Sequence, residues 1–239
     1  MAKIFKFESL ATLEGEGIRC AVFFEGCPLR CAYCHNPESW AKSINNDMSV
    51  DQVFFKIKRY KPYFGKKGGV TFTGGEPLIQ AKFINEVFYT RLKDENIPYV
   101  LDTSGNLSLN DDIKECIKNC QLVILDLKFW DEDSYFKYTK GKLSLVLEML
   151  NYIQSINKEC WIRTVIVPNI NDNYETLDKY IDIVKKYDCV SKYELLAFHT
   201  MGFSKYEDLK IDNPLKGKKS LDSVALKDYQ DYVNKKLCI

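Results

Sequence analysis

The sequence has almost no net charge, no long apolar run and no second tight cluster of cysteines, and each absence removes a class of function. Lys+Arg number 34 and Asp+Glu 33, so the 239-residue chain carries a formal net charge of +1 at pH 7. With no global basic field, nothing in the charge balance points to nucleic acid or an anionic membrane surface. No stretch approaches the roughly 18 to 20 apolar residues that a membrane helix requires. The opening residues, MAKIFKFESLATLEGEG, reach Glu8 and Glu14 before any apolar run long enough for a signal peptide. The expectation is a soluble cytoplasmic protein. Low-complexity tracts, repeats and linkers are also missing. Disorder is excluded by the cancelling charges and a 46% hydrophobic content. One domain is therefore expected over 1–239: an N-terminal extension (1–19), a core (20–199), and a loop with a C-terminal helix (200–239).

The core reads as an alternation. Short, β-branched or aromatic runs at 20–25, 69–73, 98–102, 122–128, 161–167 and 193–199 have the continuous apolar character of buried parallel strands. Amphipathic segments lie between and after them: Ser49–Tyr60, Pro77–Asn96, Asn110–Asn119, Leu143–Asn157, Tyr174–Tyr187 and Asp222–Lys236. Six strand–helix units imply an α/β fold with right-handed crossovers. Eight units would close a barrel of about 250 residues; six leave a partial (β/α)6 barrel or an open doubly wound sheet, and the motifs favour the partial barrel. The segment 200–221 reads as a long loop. Unusual residues cluster where strands end: Gly26-Cys27, Gly74-Gly75-Glu76, Asp102-Thr103-Ser104-Gly105, Asp126-Leu127-Lys128 and His199. That edge is where barrel and doubly wound proteins build active sites.

Nine cysteines, an odd number, argue against a secreted disulfide scaffold. Only Cys27, Cys31 and Cys34 are tightly grouped, at spacings x3 and x2. Three thiolates from one loop can hold three corners of a [4Fe–4S] cube and leave the fourth iron open to a chelating group. A zinc site is the alternative, but zinc favours CxxC pairs with a second pair, and His35 is badly placed to join its neighbour Cys34. Chance packing cysteines are the remaining reading. Cys20, Cys116, Cys120, Cys160, Cys189 and Cys238 read as packing or surface thiols, although Cys116 and Cys120 share a helical face.

CxxxCxxC with an aromatic residue before the last cysteine resembles the signature of the radical S-adenosylmethionine enzymes. The string from Gly26 to Pro37, GCPLRCAYCHNP, is similar to that of the pyruvate formate-lyase activating enzymes within that superfamily. The likeness continues through EGEGIR, TFTGGEPL, LDTSG, LDLK, WIRTVIVP and the late FH, in the family's order and spacing. The resemblance implies a radical SAM fold that is laterally open. Cys27, Cys31 and Cys34 would ligate one [4Fe–4S] cluster, and S-adenosylmethionine would chelate the open iron. Electron transfer would cleave its C–S bond, and the 5′-deoxyadenosyl radical would abstract hydrogen from the Cα of one glycine in a partner enzyme, pyruvate formate-lyase or a relative. Flavodoxin or ferredoxin would supply the electron.

The resemblance also implies roles for further residues. Gly74 and Gly75 allow close backbone approach, and Glu76 would meet the methionine ammonium; the duller reading is a strand-to-helix turn with Pro77 at the first helical position. Tyr33, Cys34 and His35 correspond to the segment contacting adenine. Asp126 and Lys128, two apart, face one side of a strand and, with Leu127, would contact the cofactor; a structural ion pair is the alternative. Asp102 and Thr103 would support, with Asp126, a monovalent cation, or else simply cap a turn. His199 matches a cofactor-contacting histidine. Arg163 sits mid-strand, where an unpaired charge is costly, and would face cofactor or peptide. Glu14 stands where the activating enzymes show an aspartate, in EGEG rather than DGPG. Glu16 there removes a proline and adds charge near the expected peptide access. EGEG also resembles 7-carboxy-7-deazaguanine synthase, a radical enzyme acting on a small molecule, whereas CHNPESW and the late motifs favour an activase. With no cysteine between Cys34 and Gly74, an inserted ferredoxin-like domain is not expected. An iron–sulfur carrier or zinc module would have no use for the strand-end motifs.

Overall fold

The computed structural model describes residues 1–40 and 47–238. The spans expected for the core and the C-terminal segment include 41–46 and 239, which lie outside the described residues. In chain order the elements are β1 (Ala2–Ala11), β2 (Arg19–Phe24), β3 (Asp47–Met48), α1 (Val50–Lys58), β4 (Gly69–Gly74), α2 (Ala81–Val87), β5 (Tyr99–Thr103), α3 (Asp111–Asn119), β6 (Leu122–Asp126), α4 (Glu132–Thr139), α5 (Leu143–Ser155), β7 (Cys160–Ile166), α6 (Tyr174–Val184), β8 (Val190–Ala197), α7 (Phe203–Asp208) and α8 (Ser223–Leu237). The strand order is β3-β1-β2-β4-β5-β6-β7-β8. Strands β2, β4 and β5 run parallel, as do β7 and β8, while β1 is antiparallel to β2 and β3. The fold is α/β with a mostly parallel, unclosed sheet, as expected.

The chain divides into two compact units: Met1–Pro28 with Ser39–Ile124, and Leu29–Glu38 with Leu125–Ile239. In the first, β2 is buried at all six positions, which explains its unbroken apolar run. Phe24 packs on Phe72 at 5.8 Å between ring centroids, and Phe72 on Tyr99 at 5.5 Å. Burial of each such ring stabilises the fold by about 1.5–3 kcal/mol. In the second unit, Val146, Met149, Leu150 and Ile153 of α5 and Leu177, Tyr180 and Ile181 of α6 are buried. Helix starts follow the side chains available. Ser49 forms a capping box with Gln52, and Asn110, Asp131, Asn173 and Asp222 each cap the helix that follows. Among the described residues, no helix is long and apolar enough to cross a membrane.

Three features depart from the expected elements. The 1–19 extension contains β1, whose alternation of buried Ala2 and Ile4 with Lys3 and Phe5 marks a half-buried strand. The single helix expected over 77–96 is instead a 3₁₀ turn (Pro77–Gln80), α2 and a π turn (Phe88–Leu92). The Thr90 hydroxyl donates to the Glu86 carbonyl at 2.7 Å, competing for the acceptor that an α-helical N–H would use. The 200–221 segment is not all loop, because α7 lies within it.

Candidate active site

In the first unit the strand ends of β4 and β5 are tied by a buried carboxylate. Gly74 has φ +117°, and a Cβ there would lie 2.3 Å from the Phe24 nitrogen; one at Gly75 would lie 2.3 Å from the Gly26 carbonyl oxygen. These close approaches let Gly75 donate to Phe24 O at 2.9 Å and Glu76 to Gly26 O at 2.8 Å. Glu76 itself is fully buried. Its carboxylate accepts from the Leu78 N–H (3.1 Å), the Thr103 hydroxyl (2.6 Å), the Ser104 N–H (2.9 Å) and the Ser104 hydroxyl. Burial raises its pKa, and the hydrogen bonds from Ser104, Thr103 and Leu78 oppose that rise. The Thr73 hydroxyl donates to Asp102 at 2.9 Å. Thus Gly74, Gly75, Glu76, Asp102 and Thr103 come together here. Glu14 belongs to this unit too; its backbone carbonyl accepts from the Thr71 hydroxyl at 2.7 Å.

The cysteine loop begins in the first unit with Cys27 and continues in the second with Cys31 and Cys34. The second-unit stretch is docked by its backbone: Arg30 donates to Thr139 O and Ala32 to Tyr138 O, at 2.7 and 2.8 Å, and Cys34 turns back onto Cys31 O at 3.0 Å. Burial pushes the Cys31 thiol up to about 12, partly offset by nearby Lys128. Lys128 forms an ion pair with Asp126 at 2.7 Å. Burial alone would lower the Lys128 pKa, but the Asp126 charge holds the ammonium above its usual range. Leu127 is stitched to β7, donating to Arg163 O at 2.9 Å and accepting from the Thr164 hydroxyl at 2.7 Å. Tyr180 donates to Lys128 O at 3.0 Å.

Arg163 is buried and pairs with Glu194 on β8 at 2.8 Å, in register with it. Glu194 also meets Lys192 at 2.8 Å. Burial would raise the Glu194 pKa, but Lys192 and Arg163 prevail and lower it. His35 and His199 meet edge to face with ring centroids 4.5 Å apart. The residue after Cys34 is held from α7: Lys205 donates to His35 O (3.0 Å) and Asn36 Oδ1 (2.9 Å) and pairs with Glu38 (2.7 Å), while Tyr206 donates to Cys34 O at 3.0 Å.

Sequence reasoning had no signal for Thr164, Tyr180, Glu194, Lys205 or Tyr206, each of which acts through a partner remote in sequence. Ser104 stood inside a motif but was not singled out. Among the described residues no three His, Cys, Asp or Glu side chains are gathered in a metal-holding arrangement. The chemistry of the donor set nonetheless fits an iron–sulfur cluster, because three thiols on one loop become thiolate ligands when iron displaces their protons. Among the buried polar atoms with no hydrogen-bond partner in the protein are the Tyr33 hydroxyl and His199 Nδ1. Buried polar groups are rarely left so, and both lie on segments expected to face the cofactor.

The Radical SAM superfamily profile matches residues 21–181. The chain is 38% identical over 239 residues to the pyruvate formate-lyase-activating enzyme of Clostridium pasteurianum, covering 99% of both chains. It is 36% identical to that of Staphylococcus epidermidis, covering 95% of this chain and 93% of the other. Streptococcus suis SuiB, solved bound to its precursor peptide SuiA, has the same fold at a TM-score of 0.69 and 17% identity; the match covers 89% of this chain and 44% of SuiB, less than half its length. The chain belongs to the radical SAM superfamily and, within it, to the family of the pyruvate formate-lyase-activating enzymes.

Proposed function

We propose that the protein is a glycyl-radical-enzyme activase acting on a pyruvate formate-lyase in the cytoplasm. The observation that carries the reading is the CxxxCxxC loop after β2 in a chain that matches an activating enzyme over its whole length. Cys27, Cys31 and Cys34 would hold a [4Fe–4S] cluster. When bound, that cluster supplies the electron that cleaves the sulfonium C–S bond of S-adenosylmethionine, so that the 5′-deoxyadenosyl radical takes a hydrogen atom from a glycine Cα of the partner.

The chain's own residues bind and orient. The Gly74–Gly75 backbone offers carbonyls to the methionine ammonium. Glu76, whose oxygens accept from four donors, would meet that ammonium with its negative charge. Lys128, steadied by Asp126, meets the cofactor's carboxylate or ribose. The Tyr33 hydroxyl and His199 Nδ1, with His35, receive the adenosyl group. Asp102, Thr103 and Asp126 would serve a monovalent cation. Glu14 and Arg163 are assigned to the glycine-bearing peptide, and flavodoxin or ferredoxin to electron delivery.

The test is electron paramagnetic resonance of anaerobically reconstituted, reduced protein. A [4Fe–4S] signal that changes on adding S-adenosylmethionine, followed by a glycyl doublet on adding pyruvate formate-lyase, is the expected result. A reduced cluster indifferent to S-adenosylmethionine, or stoichiometric zinc with no cluster, would overturn the reading.

A further inference from the structure

Arg19 is a fully buried cation on β2, and the established motifs leave it without a role. Its Nε donates to the Thr71 hydroxyl at 2.7 Å, Nη1 to the carbonyls of Glu16 (2.9 Å) and Lys67 (3.2 Å), and Nη2 to Val70 O (2.8 Å). All four acceptors are neutral. Burial, opposed by the Glu16 charge, brings its pKa down to about 10, so the group remains a cation at pH 7. Burying a charge without a carboxylate partner is costly. What the guanidinium provides in return is a rigid fork of donors that a lysine or an apolar residue cannot supply.

The fork reaches one segment in particular. It holds Glu16 O directly and Glu14 O through Thr71, whose hydroxyl accepts from Arg19 and donates to Glu14 O at 2.7 Å. The backbone turns at Gly15 (φ +120°), between these anchors, and at Gly17 (φ +72°), just beyond them, where a Cβ would lie 2.6 Å from the Gly68 nitrogen. The side chains above this pinned backbone face outward. Leu13 is 76% exposed, Ile18 is exposed, and Glu16 is exposed while paired with Lys67 at 3.2 Å. A backbone fixed from below with apolar and acidic side chains presented above is organised for binding, because its ordering cost is met before the partner arrives.

We propose that Arg19 and Thr71 form a buried brace that holds the 12–17 loop in the conformation that receives the glycine-bearing segment of the partner protein, which makes both of them positioning residues. The proposal rests on the activase reading. It assigns Arg19 and Thr71 to partner binding and not to the radical chemistry.

The test uses the reconstituted holoenzyme with S-adenosylmethionine and pyruvate formate-lyase, following the glycyl doublet at increasing partner concentration. Thr71→Val removes the hydroxyl that links Arg19 to Glu14. It should raise the KM for the partner about tenfold, corresponding to about 1.4 kcal/mol, with kcat within about twofold. Thr71→Ser, which keeps the hydroxyl, should restore the wild-type KM. Amide hydrogen exchange over residues 12–18 should quicken in Thr71→Val and not in Thr71→Ser. Should Thr71→Val not fold, Arg19→Lys keeps the charge, loses the fork, and should show the same rise in KM. An unchanged KM in the variant, a fall in kcat at constant KM, or a failure of serine to rescue would each overturn the proposal. A wild-type enzyme that cleaves S-adenosylmethionine but yields no glycyl doublet would overturn the activase reading itself, and the proposal with it.

Discussion

Replacing Glu76 by glutamine changes one atom in shape and almost everything in hydrogen bonding. One carboxylate oxygen accepts from Leu78 N–H and the Thr103 hydroxyl, the other from Ser104 N–H and the Ser104 hydroxyl. Both hydroxyls also receive a backbone N–H, from Gly105 at 3.0 Å and Asn106 at 3.4 Å, so their protons are directed at the carboxylate. Whichever way the glutamine amide is turned, its NH₂ faces a buried backbone N–H that cannot reverse. The lost bond and the unsatisfied donor cost about 1–3 kcal/mol, and the remaining bonds fall from charge-assisted to neutral strength. Release of the carboxylate's burial penalty offsets part of this, leaving about 1–3 kcal/mol net. At about 2–4 °C per kcal/mol for a chain of this size, Tm should fall by about 2–12 °C. Thermal unfolding followed by circular dichroism at pH 7, with the protein kept anaerobic, measures this directly. A Glu76→Gln protein as stable as wild type would refute the reasoning. It would mean that burial wins outright and that Glu76 is a neutral acid, which glutamine mimics. In that case wild-type stability would also fall, relative to the variant, as pH rises through the raised folded pKa.

Three further outcomes are expected. Cys27→Ser, Cys31→Ser and Cys34→Ser should each lose the reduced-cluster signal and bound iron, whereas Cys116→Ser, whose buried thiol bonds Ala81 O and Asn85 Oδ1, should keep both; a Cys34→Ser protein with full iron content would contradict the ligand assignment. Gly75→Ala places a Cβ 2.3 Å from Gly26 O, and the forced backbone shift should cost about 1–3 kcal/mol with weakened binding of S-adenosylmethionine by calorimetry. The Glu194 pKa is lowered from the ordinary 4.5. Its ion pairs therefore stabilise the fold above 4.5, and that stabilisation is lost as pH falls through the depressed value; the stability gap between wild type and Glu194→Gln should hold from neutral pH to 4.5 and shrink below it, and a gap independent of pH would exclude the pairing.

Much of the fold was legible because its parallel strands, β8 excepted, are mostly buried on both faces. The runs at 20–25, 69–73 and 122–128 are continuous and apolar for that reason, and they became β2, β4 and β6 within a residue or two. Helix starts were legible where a side chain caps them locally, as Ser49, Asn110 and Asp222 do. The break in the 77–96 helix was not, because it depends on a hydroxyl at Thr90 whose choice of acceptor has no sequence signature. Strand β1 escaped notice since its outer half is exposed and its pattern faint.

The sequence by itself determined the chemistry. Three cysteines at fixed spacing, paired glycines and a DLK segment are local patterns, and local patterns are written in consecutive residues. Tertiary structure alone decided what supports them. Glu76 is a crosslink between β4 and β5 because Thr103 and Ser104 arrive 27 and 28 residues later. Arg163 is paired because β8 lies in register beside β7, bringing in Glu194 from 31 residues away. Arg19 braces the 12–17 loop through Lys67, Val70 and Thr71, about fifty residues on. Such partners are chosen by strand pairing and register, which depend on the packing of the whole sheet and not on the identity of neighbouring residues.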